Sequence, residues 1–150
     1  MAITIVLADD NRAYREHLRN KLNQEPDMSV VAQAEDGQAA VRLVQDLAGQ
    51  NQAPDLVIMD VTMVPMNGVE ATRQILSSHP SVKVLALSIH ENRQFVEAMV
   101  QAGASGYVLK DDPFVDLTRA IRTMAAGQTS FSPGLNLPGN DDPGHVPPPP

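Results

Sequence analysis

A chain of 150 residues, 43% hydrophobic and 19% charged, has the length of one ordinary domain and enough apolar material for a real core. Aromatics at 3% and the lack of any cysteine make that core aliphatic and exclude a disulfide framework or a thiolate metal site. The formal net charge is −7, and residues 1–132 alone carry sixteen acids against eleven bases, which argues against direct nucleic-acid binding, where phosphate neutralisation dominates affinity.

The opening "MAITIVLADD" has too short an apolar stretch for a signal peptide and no basic leader. No run in the chain approaches the roughly 20 apolar residues of a membrane span. A cytoplasmic protein is expected. Five short apolar runs then recur along the chain: "ITIVLA" (3–8), "SVVAQA" (29–34), "DLVIMD" (55–60), "VKVLALS" (82–88) and "GYVLK" (106–110). Runs this brief and continuously apolar, rich in β-branched residues, predict strands buried on both faces.

Helical spacing fills the gaps. Tyr14, Leu18 and Leu22 repeat at i, i+4, i+8; Ala40, Val44 and Leu47 follow i, i+4, i+7, as do Phe95, Met99 and Ala102. Leu117, Ile121 and Met124 close the series. Gly103 and Gly127 fall where a left-handed helix cap is wanted, and Asp112-Pro113 reads as N-cap and first helical residue. Strands alternating with helices imply right-handed crossovers and an α/β, doubly wound parallel sheet of five strands, flavodoxin-like (βα)5 with order 2-1-3-4-5. From Ser132 onward the pattern stops. Seven of the twelve prolines lie in "SPGLNLPGNDDPGHVPPPP", so residues 1–131 are expected to form the domain and 132–150 a disordered or polyproline-like tail.

In such a sheet the ligand site lies at the carboxyl ends of the strands. Those ends carry Asp9 and Asp10, Asp60, Ser88 and Lys110. Each has an ordinary explanation alone: a helix cap, a polar strand end, a solvated lysine. Together they bring three carboxylates, a hydroxyl and an ammonium to one edge. Carboxylates with reference pKa values near 4 would all be ionised at pH 7 and repel one another. A hard divalent cation relieves this, and Mg²⁺ suits a few carboxylates, a backbone carbonyl and waters. A carboxylate beside Mg²⁺ and lysine is poised as a nucleophile towards phosphorus, giving an aspartyl phosphate.

With the motifs "IVLADDN", "VIMDVTM…MNGVEATRQI", "VLALSIHEN" and "AGASGYVLKD" in this order, residues 2 to 131 resemble the receiver domain of bacterial two-component response regulators. The likeness is strongest to the branch whose receivers precede a LuxR-type helix-turn-helix domain. The resemblance implies a signalling switch rather than a dedicated enzyme. In it Asp60 is the phosphoacceptor, Asp10 the direct Mg²⁺ ligand, Asp9 the carboxylate holding a metal-bound water, and the Thr62 carbonyl completes the metal site. It also implies that Ser88 moves to the phosphoryl group, Lys110 pairs with it, Tyr107 turns inward as the aromatic switch, and Thr62 and His90 tune dephosphorylation. A sensor histidine kinase is the implied donor, homodimerisation on phosphorylation an implied response, and DNA is reached only through a C-terminal helix-turn-helix domain.

For His90 as a metal ligand there is no support, because His17, His79, His90 and His145 share no ligand spacing. Two departures stand out. Pro65 follows Val64, one position later than the family's usual proline, which shifts the loop's bend. No output domain follows, so a truncated regulator is expected over a stand-alone receiver. Two competing readings are a Mg²⁺-dependent phosphohydrolase with an aspartyl nucleophile and a degenerate receiver that acts by binding alone. The first wants an acid two residues past the nucleophile, where Thr62 stands; the second is opposed by the intact set of five.

Overall fold

The computed structural model describes residues 2–132; the predicted tail, apart from Ser132, lies outside them. Eleven elements follow in order: β1 (Ile3–Ala8), α1 (Arg12–Asn23), β2 (Met28–Ala34), α2 (Gly37–Gly49), β3 (Leu56–Met59), α3 (Gly68–Ser78), β4 (Lys83–Ser88), α4 (Arg93–Ala102), β5 (Gly106–Leu109), α5 (Phe114–Ala125) and β6 (Ser130–Phe131). The sheet is parallel throughout, with order β2-β1-β3-β4-β5-β6. This is the doubly wound fold expected, with a sixth strand added at the β5 edge. Two residues were too few to register as a strand in the sequence pattern.

Strand alternation sorts the core into two layers. Val6, Ala8, Val57, Met59, Val84, Ala86 and Tyr107 pack with α2, α3 and α4 on one face. Ile5, Leu7, Leu56, Ile58, Leu85, Leu87 and Val108 pack with α1 and α5 on the other. The expected stripes supply the helical side: Leu18 and Leu22, Ala40 and Val44, Met99 and Ala102, and Leu117, Ile121 and Met124 are all buried. Gly103 (φ 111°) and Gly127 (φ 93°) adopt the left-handed conformation predicted for them, which glycine enters without a Cβ penalty.

Asp112 departs from expectation. Pro113 itself is the N-cap residue of α5, in extended backbone and with no side-chain cap. The Asp112 carboxylate instead accepts from Leu109 N (3.2 Å) and from Ser132 Oγ (2.5 Å). Ser132 N donates to the Tyr107 carbonyl (2.9 Å) and Ser130 N to that of Ser105 (3.0 Å). A strap of three residues thus runs along β5, with Ser132 buried. The Ser132 hydroxyl, buried beside β5, holds the Asp112 carboxylate in place of the helix-end N–H groups, which water can serve. Ser132→Ala leaves Asp112 short of its short hydroxyl bond, and a loss of about 1–2 kcal/mol in unfolding free energy is expected by urea titration.

Candidate functional site

Register brings the acids together. Ala8 pairs with Met59 across β1 and β3, so Asp9 and Asp60 leave the sheet side by side, and Asp60 N donates to the Ala8 carbonyl (2.9 Å). The carboxylates of Asp9, Asp10 and Asp60 offer oxygens within 4.8 Å of one another. Asp9 and Asp60 are buried, while Asp10 is exposed. The Lys110 ammonium lies 2.8 Å from Asp9 Oδ2 and 3.9 Å from Asp60 Oδ2. Four of the five strand-end residues predicted from sequence therefore form one cluster.

Alternation also decides which face each residue takes. Counting on from the strands, Asp9, Asp60 and Lys110 continue the positions that face α1 and α5, whereas Ser88 and Tyr107 face α2–α4. The contacts agree. Asp9 and Asp60 line a small cavity with Tyr14, Arg15, Leu18, Ile58 and Leu87. On the other face Ser88 Oγ accepts from His90 N (3.0 Å), and Tyr107 donates its hydroxyl to the His90 carbonyl (2.7 Å). The His90 ring stacks on Phe95 with centroids 4.3 Å apart. Tyr107 is fully buried, packed into the core with its hydroxyl on the His90 carbonyl.

The loop that follows Asp60 is held from both sides. Thr62, exposed, donates its N–H to Asp60 Oδ1 (3.3 Å). Gly68 opens α3 directly against the loop, donating to the Val61 carbonyl (2.9 Å). A Cβ there would overlap the Asp60 carbonyl oxygen and stand 2.9 Å from both Asp60 C and Val61 Cα. Val64 is exposed and the Val64–Pro65 peptide is cis.

The charges follow from burial and neighbours. Burial pushes the Asp60 carboxyl above the usual carboxylate range; Asp9 and Asp10 push the same way, against the pull of Lys110 and the Thr62 N–H. Burial likewise raises the Tyr107 hydroxyl, with Ser88 drawing it partly back. Tyr14 is pushed up to about 12, first by burial and then by Asp9, Asp60 and Asp111, so its phenol keeps its proton. An all-oxygen set of three clustered carboxylates, two of them buried, fits a hard divalent cation. No histidine belongs to this cluster, which is the candidate metal group among the described residues.

Three contributors were missed in the sequence. Arg15 donates through Nη1 to the Asp9 carbonyl (2.6 Å) and through Nε to Gln33 Oε1 (2.9 Å), tying the acidic loop to β2. Asn11 N donates to Asp9 Oδ1 (2.9 Å). Tyr14, read only as a core stripe, carries the Lys110 ammonium 4.4 Å from its ring centroid. The available signal was position: a helix starting two residues after Asp10 turns its first face towards the site.

The family described as the response regulator receiver domain matches residues 5–122. The transcriptional regulatory protein DegU of Brevibacillus brevis is 41% identical over 131 residues, covering 87% of this chain and 53% of DegU. The response regulator GacA of Pseudomonas viridiflava is 36% identical over 133 residues, covering 89% and 60%. The chain thus spans little more than half the length of these curated relatives. A crystal structure of a LuxR-family two-component response regulator from Aurantimonas sp. SI85-9A1 superposes with a TM-score of 0.83 at 34% identity, covering 90% of this chain and 93% of that one. Match, relatives and fold agree: the chain belongs to the response-regulator receiver family.

Proposed function

We propose that Asp60 is the phosphoacceptor of a two-component phosphorelay switch, charged by a sensor histidine kinase. The observation that carries this is the cluster itself: three carboxylates within 4.8 Å, with an ammonium 3.9 Å from one of them. An Asp60 oxygen attacks phosphorus, the bond from phosphorus to the donor's imidazole nitrogen breaks, and that nitrogen leaves with the electron pair. Asp9, Asp10, Asp60 and the Thr62 carbonyl would hold Mg²⁺, which supplies charge neutralisation at the phosphoryl oxygens. Lys110 neutralises a further oxygen.

The acyl phosphate adds about −1.5 to −2 charge. Ser88 turns its hydroxyl to it and gives up the His90 N–H, loosening the loop that the His90 carbonyl shares with Tyr107. Thr62 and His90 flank the approach of water and tune the return to free Asp60. The altered α4–β5 face then favours a homodimer. By analogy with the named regulators, the switch controls a DNA-binding transcriptional regulator in the cytoplasm; the body's own excess of acids leaves DNA contact to a separate helix-turn-helix domain. No helix among the described residues is long and apolar enough to cross a membrane.

The test is incubation with acetyl phosphate, with Mg²⁺ or with a chelator, read by intact mass and peptide mapping. A single phosphoryl adduct on Asp60 that requires Mg²⁺ is expected. An unlabelled wild type, or label on another residue, overturns the reading. Continuous turnover of many phosphate esters would favour the phosphohydrolase.

A further inference from the structure

Lys110 sits on a flexible four-carbon stem just beyond β5, next to solvent, yet its side chain is only 16% exposed. The two acids account for one side of the ammonium. The other side is covered by the Tyr14 ring, 4.4 Å from Nζ to centroid. A ring face attracts a cation through its quadrupole, most strongly where water is excluded. Nothing in the chemistry of an aspartyl acceptor demands an aromatic residue at this place.

We infer that Tyr14 is a positioning residue for Lys110: its ring is a cation–π platform that keeps the ammonium at the Asp9–Asp60 pair. The inference rests on the reading of Asp60 as phosphoacceptor. Tyr14 is well placed to act as a platform because its own position is over-determined. Its backbone N–H is capped by Asn11 Oδ1 (3.0 Å). Its ring packs partly buried on the α1–α5 face of the core, one turn before buried Leu18. It also forms the wall between the acid cavity and the α1–α5 cleft that Lys110, Val108 and Phe114 line.

A π face holds a cation without the directional demand of a hydrogen bond. The ammonium rests 2.8 Å from Asp9 and 3.9 Å from Asp60, so pairing with a phosphoryl group on Asp60 requires it to move away from Asp9. Over the ring it can make that move without passing through solvent. Without the ring, the stem can swing outward, and each phosphoryl transfer must first bring the charge back.

The test compares Tyr14→Leu, which keeps apolar bulk but has no π face, with Tyr14→Phe, which keeps the face and loses the hydroxyl. The rate of labelling by acetyl phosphate in Mg²⁺ is expected to fall about 3- to 30-fold in the leucine variant. The phenylalanine variant is expected to restore it. A purely structural role would not predict the accompanying signature: upfield ring-current shifts of the Lys110 Cε protons, retained with Phe and lost with Leu, recorded without phosphodonor. Equal labelling rates for wild type and Tyr14→Leu, or unshifted Cε protons in wild type, overturn the inference and leave the phosphoacceptor reading intact. A wild type that shows the ring shift but takes no label overturns that reading, and the positioning role falls with it.

Discussion

Asp60→Asn abolishes labelling by acetyl phosphate and, in the same molecule, stabilises the metal-free protein. The first result follows from the proposed role of Asp60, since an amide in place of the carboxylate is a poor nucleophile; intact mass measures it. The second follows from charge. Asp60 is buried beside Asp9 and Asp10, and its folded-state pKa is raised above the ordinary value of 3.8, chiefly by burial. The folded state therefore binds the Asp60 proton more tightly than the unfolded chain does. Its ionisation costs stability that is absent below the unfolded pKa and fully felt above the folded one. The amide removes that cost near neutral pH by on the order of 1 kcal/mol, because relief from two neighbouring acids is offset by losing Lys110 as a charge partner. The advantage shrinks as pH falls through the folded pKa of Asp60, which is checked by thermal unfolding of both proteins in chelator across that range. Mg²⁺ reverses the order, since ligand binding stabilises the folded state in proportion to affinity and wild type keeps all three carboxylates. An Asp60→Asn protein that labels, or that is less stable than wild type without metal at neutral pH, contradicts this account.

Gly68→Ala carries the largest expected cost in stability for the smallest chemical change. The added methyl would overlap the Asp60 carbonyl oxygen, with Asp60 C and Val61 Cα also at 2.9 Å. All three are backbone atoms of Asp60 and Val61, so no side-chain rotation relieves the clash. Either α3 withdraws or the loop shifts, at about 2–4 kcal/mol, read as a lower urea midpoint. Both routes break the bond from Gly68 N to the Val61 carbonyl and displace Asp60 from Asp9 and Lys110. Labelling should fall by on the order of tenfold to a hundredfold even where the variant is folded, since catalytic geometry tolerates little misplacement. Circular dichroism alongside the labelling assay separates the two effects.

Much of this was legible in the amino acids. Apolar runs such as "ITIVLA" and "VKVLALS" could only be strands buried on both faces, and their alternation with stripes such as Leu117, Ile121 and Met124 implied the parallel sheet. The sheet implied a site at the strand ends, and Asp9, Asp10, Asp60 and Lys110 were named from there. Local chemistry suffices for such inferences, because periodicity reflects which face is buried and a strand's last residue is known once its run is.

The remainder depended on contacts between residues far apart in the chain. The Asp112 cap was lost to Ser132, twenty residues later, because a buried hydroxyl competes better for a carboxylate than helix-end N–H groups in water. The β6 strap is two residues long, so its presence rests on the carbonyls that β5 offers. Tyr14 read as one more stripe position, since nothing local says that Lys110 lies over its ring. The sequence by itself determined the sheet, its site edge and the chemistry gathered there, because these follow from residue type and spacing. Only the tertiary structure decided that Asp9, Asp60 and Lys110 share one face with Tyr14 while Ser88 and Tyr107 share the other, because that division depends on register between strands and on which helix covers each side.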